Sequence, residues 1–200
     1  MLITGIKSRP LYDRLTPFPE GRFHVVAGQG GGGQAMLRLL SELDLSADQT
    51  RVLYSHESFS GKNYAAQLRE LGIANLGEFG SNAALVDHLN DVLASCTMGT
   101  RLYLSGSESF IGTAMQVAAR FGLNADEVLR EDNGTFVRRV WCVHCDTYTE
   151  NVTKRVFNCP GCQLDLVVRD HYSGRLAAFM GVKADAEQTG VMPPAEDLDT

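Results

Sequence analysis

Up to Asn133, short apolar runs ended by glycines alternate with longer stretches in which apolar residues recur every three or four positions. Phe23-His-Val-Val-Ala27 reads as a strand entering Gly28-Gln-Gly-Gly-Gly-Gly33. The following helix has Met36, Leu37, Leu39, Leu40 and Leu43 on one face. Arg51 to Ser55 is a second strand, and Tyr64 to Leu71 a helix stopped by Gly72. A weaker strand falls at Ala74–Gly77, a helix at Asn82–Cys96, a strand at Arg101–Ser105, a helix at Gly112–Phe121 closed by Gly122, and a last strand at Val128–Glu131. Strand–helix alternation with short connections implies right-handed crossovers and a parallel sheet covered on both faces. The expectation is a three-layer α/β domain over residues 1–134.

Beyond that point the spacing shortens and cysteines enter. Val137-Arg-Arg-Val-Trp141 leads into one C-x-x-C pair and Thr147-Tyr-Thr149 leads away. Val152 to Phe157 leads into a second pair, and Leu164 to Val168 leads away. Strand, C-x-x-C, strand, repeated once, is the layout of a zinc ribbon, expected over residues 135–182. After Val182 the chain turns acidic, with Pro193-Pro194 and no aromatic residue, and residues 183–200 are expected to be a disordered tail.

Composition narrows the function classes. The 200 residues carry 24 acidic against 18 basic side chains, a net charge of −6, which argues against nucleic acid or an anionic membrane as the general partner. No apolar run approaches the roughly 18 residues of a membrane span, and the N-terminus lacks the order of a secretory signal. A cytoplasmic protein is expected. Four of the five cysteines, Cys142, Cys145, Cys159 and Cys162, lie within 21 residues, with 13 residues between the pairs. In a reducing compartment this spacing argues for metal thiolates rather than disulfides. Four soft ligands at tetrahedral geometry suit structural zinc, a single rubredoxin-type iron or, with a different arrangement, a [2Fe–2S] cluster. His144, inside the first turn, is read as solvent-facing. Cys96, in an apolar-periodic stretch, is read as a small buried hydrophobe.

Two further groups invite a functional reading. Gly28, Gly30, Gly31 and Gly33 sit at a strand–helix junction, where glycines let a phosphate approach a helix N-terminus; a flexible turn explains them equally well. Arg169, His171, Tyr172 and Arg175 are side chains that can anchor a partner subunit; equally, Asp170 can pair locally with Arg169 or Arg175 while Leu176, Phe179 and Met180 pack the ribbon onto the α/β domain. An Asp170–His171 catalytic pair is disfavoured, because neighbours on a strand face opposite ways. No catalytic constellation is read.

Three segments resemble the pyridine-nucleotide domain of ferredoxin reductase-like flavoproteins. Val25 to Gln34 sits at that family's phosphate loop, Arg51 to Ser58 at its second strand, and Tyr103-Leu-Ser-Gly-Ser-Glu-Ser-Phe110 at its Cys-Gly-Pro motif under the nicotinamide. The resemblance implies NAD(P)H contacts at the loop glycines, Ser105 and Gly106. Gly33-Gln34 replaces Thr-Pro, Ser105 and Ser107 replace the cysteine and proline, and Glu57 lies near the nucleotide-selecting arginine. These departures imply a degenerate, non-binding domain as the alternative. About 22 residues precede the first strand, and the flavin-binding barrel that precedes this domain in the family is expected to be absent.

The whole stretch to Val182 resembles the small subunits of bacterial dimethylamine monooxygenases. Gly5 to Tyr12, the Trp141-Cys-Val-His-Cys145 turn and Val167 to Val182 carry the likeness. It implies an accessory subunit of an NADPH- and O₂-dependent complex that converts dimethylamine to methylamine and formaldehyde. Haem, and FMN with [2Fe–2S], would reside in partner subunits. Assembly or positioning of those subunits, electron transfer through iron at the four cysteines, nucleotide gating by the α/β domain, and nucleic-acid binding by Arg138, Arg139, Lys154 and Arg155 are the competing roles.

Overall fold

A computed structural model describes residues 8–18, 20–43, 49–133 and 137–198. The chain divides into two compact units, Tyr12–Thr135 and a second comprising Met1–Leu11 with Phe136–Thr200.

The first unit is a parallel five-stranded sheet between two helical layers. Its strands are β1 (Phe23–Gln29), β2 (Thr50–Ser55), β3 (Leu76–Phe79), β4 (Thr100–Gly106) and β5 (Val128–Asp132), in the order β3-β2-β1-β4-β5. Its helices are α1 (Gly33–Glu42), α2 (Ala65–Glu70), α3 (Asn82–Ser95) and α4 (Glu108–Arg120). Side chains alternate across a strand, so successive apolar residues feed both faces. Val26, Val52, Tyr54 and Tyr103 pack with Met36, Leu39, Leu40 and Leu68 of α1 and α2. Val25, Ala27, Leu53, Leu102 and Leu104 pack with Leu85, Leu89, Phe110 and Val117 of α3 and α4. This is the three-layer α/β arrangement expected, and it is doubly wound, the strand order reversing between β1 and β4. Cys96 ends α3 half-buried against the second of these clusters.

Two boundaries differ from the sequence reading. α4 begins at Glu108 rather than Gly112, because the Ser107 side chain accepts from the Phe110 N–H and caps the helix there. β3 lies at Leu76–Phe79 rather than Ala74–Gly77, in register with Val52–Ser55.

The second unit is also a five-stranded sheet, β7-β6-β10-β9-β8. The strands are β6 (Arg138–Cys142), β7 (Tyr148–Val152), β8 (Val156–Asn158), β9 (Asp165–Ser173) and β10 (Ala178–Lys183). Beyond the two expected hairpins, β9 continues to Ser173 and β10 forms the centre of the sheet, antiparallel to β9 and parallel to β6. Val140, Val152, Val168, Phe179 and Leu198 form its core. Ser8, expected with the α/β domain, belongs to this unit. Its N–H donates to the Asp170 carbonyl at 3.0 Å, and the Tyr172 N–H donates to its carbonyl at 2.9 Å. The stretch expected as a disordered tail also makes contacts here: the Leu198 N–H donates to the Thr153 carbonyl at 2.8 Å, and Leu198 is 8% exposed.

Candidate metal centre

Each C-x-x-C segment folds into the same turn. In the first, the Asp146 N–H donates back to the Cys142 carbonyl at 3.0 Å, and the Cys142 N–H donates to Thr147 at 2.9 Å. In the second, the Gln163 N–H donates to the Cys159 carbonyl at 2.9 Å, and the Cys159 N–H to Leu164 at 2.9 Å. The fifth residue of each turn is left-handed, with φ of 59° at Asp146 and 61° at Gln163. That conformation turns the chain back after each pair, so that Thr147 and Leu164 return to the first cysteine of their turns. Gly161 lets the second turn press against the first: a Cβ there would lie 2.2 Å from Thr147 Oγ1 and 3.0 Å from Cys145 Sγ.

The two turns bring all four sulfurs within 4.8 Å of one another. Cys142 and Cys162 are 3.8 Å apart, and Cys145 and Cys159 are 3.6 Å apart. A tetrahedron with metal–sulfur bonds of about 2.3 Å has edges of roughly 3.8 Å, so the cage has the size of a single thiolate-bound ion. These separations are far too long for disulfides, and all five cysteines are free. Cys142 and Cys159 are buried with Leu166, while Cys145 and Cys162 reach the surface beside Leu164 and Phe157.

Backbone amides aim at the sulfurs. His144 and Cys145 N–H groups point to Cys142, Thr147 N–H to Cys145 and Leu164 N–H to Cys162. The thiols respond unequally. Burial pushes Cys142 up to about 12 despite its two amides. The Thr147 hydroxyl, 3.2 Å from Cys145 Sγ, and the Thr147 amide bring Cys145 down to about 6. Leu164 N–H favours the Cys162 thiolate, but burial and the neighbouring Cys145 and Cys159 outweigh it and leave the thiol raised. Four like charges this close oppose one another, and a divalent cation removes that conflict. With four protein ligands the cage offers no open position for substrate, which suits a structural or electron-carrying ion rather than a hydrolytic one. His144 is exposed, as expected, and its Nε2 accepts from the Lys183 N–H at 3.2 Å, tying the first turn to β10.

The glycine loop lies at the point where the sheet order reverses, but Gly28, Gly30, Gly31 and Gly33 are buried. A Cβ on Gly32 would meet the Ser105 carbonyl oxygen at 2.3 Å, and one on Gly28 would meet Met36 Sδ at 2.2 Å. The chain's own groups also engage the loop. Ser105 Oγ donates to Gly32 at 2.8 Å, Tyr54 OH to Gly30 at 2.8 Å, and Gln29 accepts from the Ser107 N–H at 3.0 Å beside Gly106. Glu57 accepts from the Asn82 N–H at 2.7 Å and so caps α3.

Of the four candidate partner residues, Arg169 and His171 alternate with Asp170 and Tyr172 along β9 and do not converge with them. Arg169 pairs with Glu187 at 2.7 Å, and Tyr172 packs edge-on against Phe179 with ring centres 5.3 Å apart. His171 and Arg175 are exposed. Asp170, expected to pair with its neighbours Arg169 or Arg175, is instead the centre of a long-range ion cluster: its Oδ1 accepts from Arg9 and from Arg138, each at 2.9 Å. Opposite charges 32 and 161 residues apart in sequence leave no local signal.

Residues 4–128 match the family model described as dimethylamine monooxygenase subunit DmmA-like, N-terminal domain. Residues 139–182 match its C-terminal counterpart. The chain is 38% identical, over 133 residues, to the haem-dependent oxidative N-demethylase delta subunit of Ectopseudomonas mendocina, covering 64% of this chain and 76% of that one. A crystal structure of an intact type IV self-sufficient cytochrome P450 monooxygenase shares the fold, with a TM-score of 0.51 and 12% identity over 69% of this chain and 19% of that one. Phthalate dioxygenase reductase gives a TM-score of 0.48 at 15% identity over 70% of this chain and 48% of that one. Among the described residues no helix is long and apolar enough to cross a membrane.

Proposed function

The chain belongs to the dimethylamine monooxygenase DmmA-like subunit family, and on that premise we propose that it is a non-catalytic accessory subunit of an oxidative N-demethylase complex. In this reading the complex acts on dimethylamine with NADPH and O₂. The chain assembles or aligns a haem-bearing subunit with a reductase subunit carrying FMN and [2Fe–2S]. The observation that carries the reading is the closed four-cysteine cage, which with a metal bound would stabilise a small β unit and would leave no ligand position for substrate. Cys142, Cys145, Cys159 and Cys162 would hold one zinc ion, whose contribution is to lock the two turns together. A [2Fe–2S] cluster fits less well, since its two irons would set one thiolate pair apart from the other by the width of the cluster.

We read the glycine loop as a packing device rather than a nucleotide site. Gly28 and Gly32 allow α1 and β4 to approach closely, and Gln29, Tyr54 and Ser105 already use polar groups of the loop. Glu57 at the start of α3 adds a negative charge where a 2′-phosphate would need a positive one.

Co-isolation tests the accessory role. The chain, expressed with the haem and reductase subunits, should be recovered in one complex, and Cys142→Ser should remove it while the α/β unit keeps its helical circular dichroism. A chain that never associates with a haem subunit refutes the reading. One observation favours a second role, an electron carrier with iron in the same cage: Cys145 and Cys162 reach the surface, and backbone amides point at three of the sulfurs. Visible absorbance of the purified chain separates the two, because zinc thiolates are colourless in that range.

A further inference from the structure

The last described residues of the chain lie along the segment joining β7 to β8. The Arg155 N–H donates to the Glu196 carbonyl at 2.8 Å, and the Leu198 N–H donates to the Thr153 carbonyl at 2.8 Å. Lys154 and Asp197 face each other in an antiparallel bridge, with Lys154 Nζ 2.6 Å from Asp197 Oδ1. Leu198 inserts into the core beside Val140, Val152, Val168 and Phe179. This is strand addition by an acidic segment with one apolar anchor: main-chain bonds hold it, and alternate side chains go in and out.

Beside that strand is a crevice lined by Arg9, Arg138, Arg155, Val168, Asp170, Asp197 and Leu198. Three arginines and two aspartates line it. Asp170 is engaged by Arg9 and Arg138, while Asp197 turns outward to Lys154 with its side chain 80% exposed. The Nε groups of Arg9 and Arg155 are buried without a hydrogen-bond partner. Guanidinium groups in this state favour carboxylates, which can accept two bonds from one fork. Glu187 at Arg169 places a second acidic residue of the tail on a basic residue of the sheet.

We propose that this arginine crevice is a docking site for an acidic, extended segment of another protein chain, and that residues 196–198 hold the place until that segment arrives. The incoming segment adds as a strand along Thr153–Arg155, seats an apolar side chain where Leu198 now sits, and places a carboxylate on Arg155 and Arg9. A tethered occupant competes at a high effective concentration, so the free surface is visible only when the tail is loosened. The ion pair that fastens the tail is exposed on both sides and weak, which makes displacement feasible.

The test uses the full chain and a fluorescein-labelled peptide carrying residues 190–200. Leu198→Ser removes the apolar anchor, and Asp197→Lys sets a like charge against Lys154; both keep every cysteine. Each variant should bind the peptide at least tenfold more tightly than the unaltered chain. Adding Arg155→Glu to either should abolish that gain, and a peptide with Gln and Asn at positions 196 and 197 should bind at least tenfold more weakly. Three results overturn the proposal: neither loosened variant binds although circular dichroism and metal content are unchanged; the neutral peptide binds as well as the acidic one; or a single-stranded oligonucleotide displaces the peptide, which would make the surface a phosphate-backbone site.

Discussion

Replacing Gly161 by alanine tests how tightly the two cysteine turns interlock. The added methyl would lie 2.2 Å from Thr147 Oγ1 and 3.0 Å from both Thr147 Cβ and Cys145 Sγ. Real carbon contacts of that length do not persist, so Thr147 must rotate or the turns must separate. Overpacking of this kind costs about 1–3 kcal/mol. Rotation also removes the Thr147 hydroxyl from its place 3.2 Å from Cys145 Sγ. Loss of such an outer contact weakens metal binding by roughly 10- to 100-fold. Competition with a chromophoric zinc chelator reads the affinity. Gly161→Ala should bind about 10- to 100-fold more weakly than the unaltered chain, and Thr147→Ala about tenfold more weakly. Because Thr147→Ala removes the atom in the closest clash, the double variant should be no weaker than Gly161→Ala alone, a clear departure from additivity. Unchanged affinity in Gly161→Ala, or strictly additive losses in the double variant, would refute the interlocked geometry.

The glycine loop gives a second test: Gly32→Ala puts a methyl 2.3 Å from the Ser105 carbonyl oxygen, a backbone atom that cannot move aside, and thermal unfolding should report a loss of about 3 kcal/mol or more. At Asp170, burial pushes the carboxyl up, but the Arg9 and Arg138 guanidinium groups outweigh it and hold it below the ordinary carboxylate range. Its stabilisation is therefore complete above the unfolded value of about 3.9 and is lost as pH falls through the lower folded value. The carboxyl carbon should titrate below that value by NMR, and Arg9→Gln should move it upward. Removing the metal with a chelator at neutral pH should abolish the near-ultraviolet signal of Trp141 in β6 while leaving the helical far-ultraviolet signal, because the α/β unit has its own core.

The α/β unit was legible because its strands feed two cores by simple alternation: Val25 and Ala27 go to one face and Val26 to the other. The cysteine cage was legible from spacing alone, since two C-x-x-C turns have few ways to meet. What escaped was set by contacts distant in sequence. β10 was hidden because Gly181 interrupts an apolar run whose parallel partner, Cys142 in β6, lies 39 positions earlier. Gly181 fits there because a Cβ would approach Val140 and Leu166 at 2.9 and 3.0 Å. The reversal after each cysteine pair carried no glycine signal, as Asp146 and Gln163 adopt the left-handed conformation themselves. Leu198 looked like part of a solvated acidic tail, and only the groove beside Thr153 gives it a partner. At the nucleotide-like loop the sequence left a phosphate site and a flexible turn equally open, whereas the packing of Gly32 on Ser105 depends on the three-dimensional approach of β4.

In the proposed function, Cys142, Cys145, Cys159 and Cys162 together hold a single metal ion. Elemental analysis of the full chain, purified without added metal or chelator, measures it directly. About one zinc per chain is expected, falling to near zero in Cys159→Ser, whose sulfur lies 3.6 Å from that of Cys145 at the buried side of the cage. A metal-free chain with four titratable thiols and an unchanged fold would contradict it.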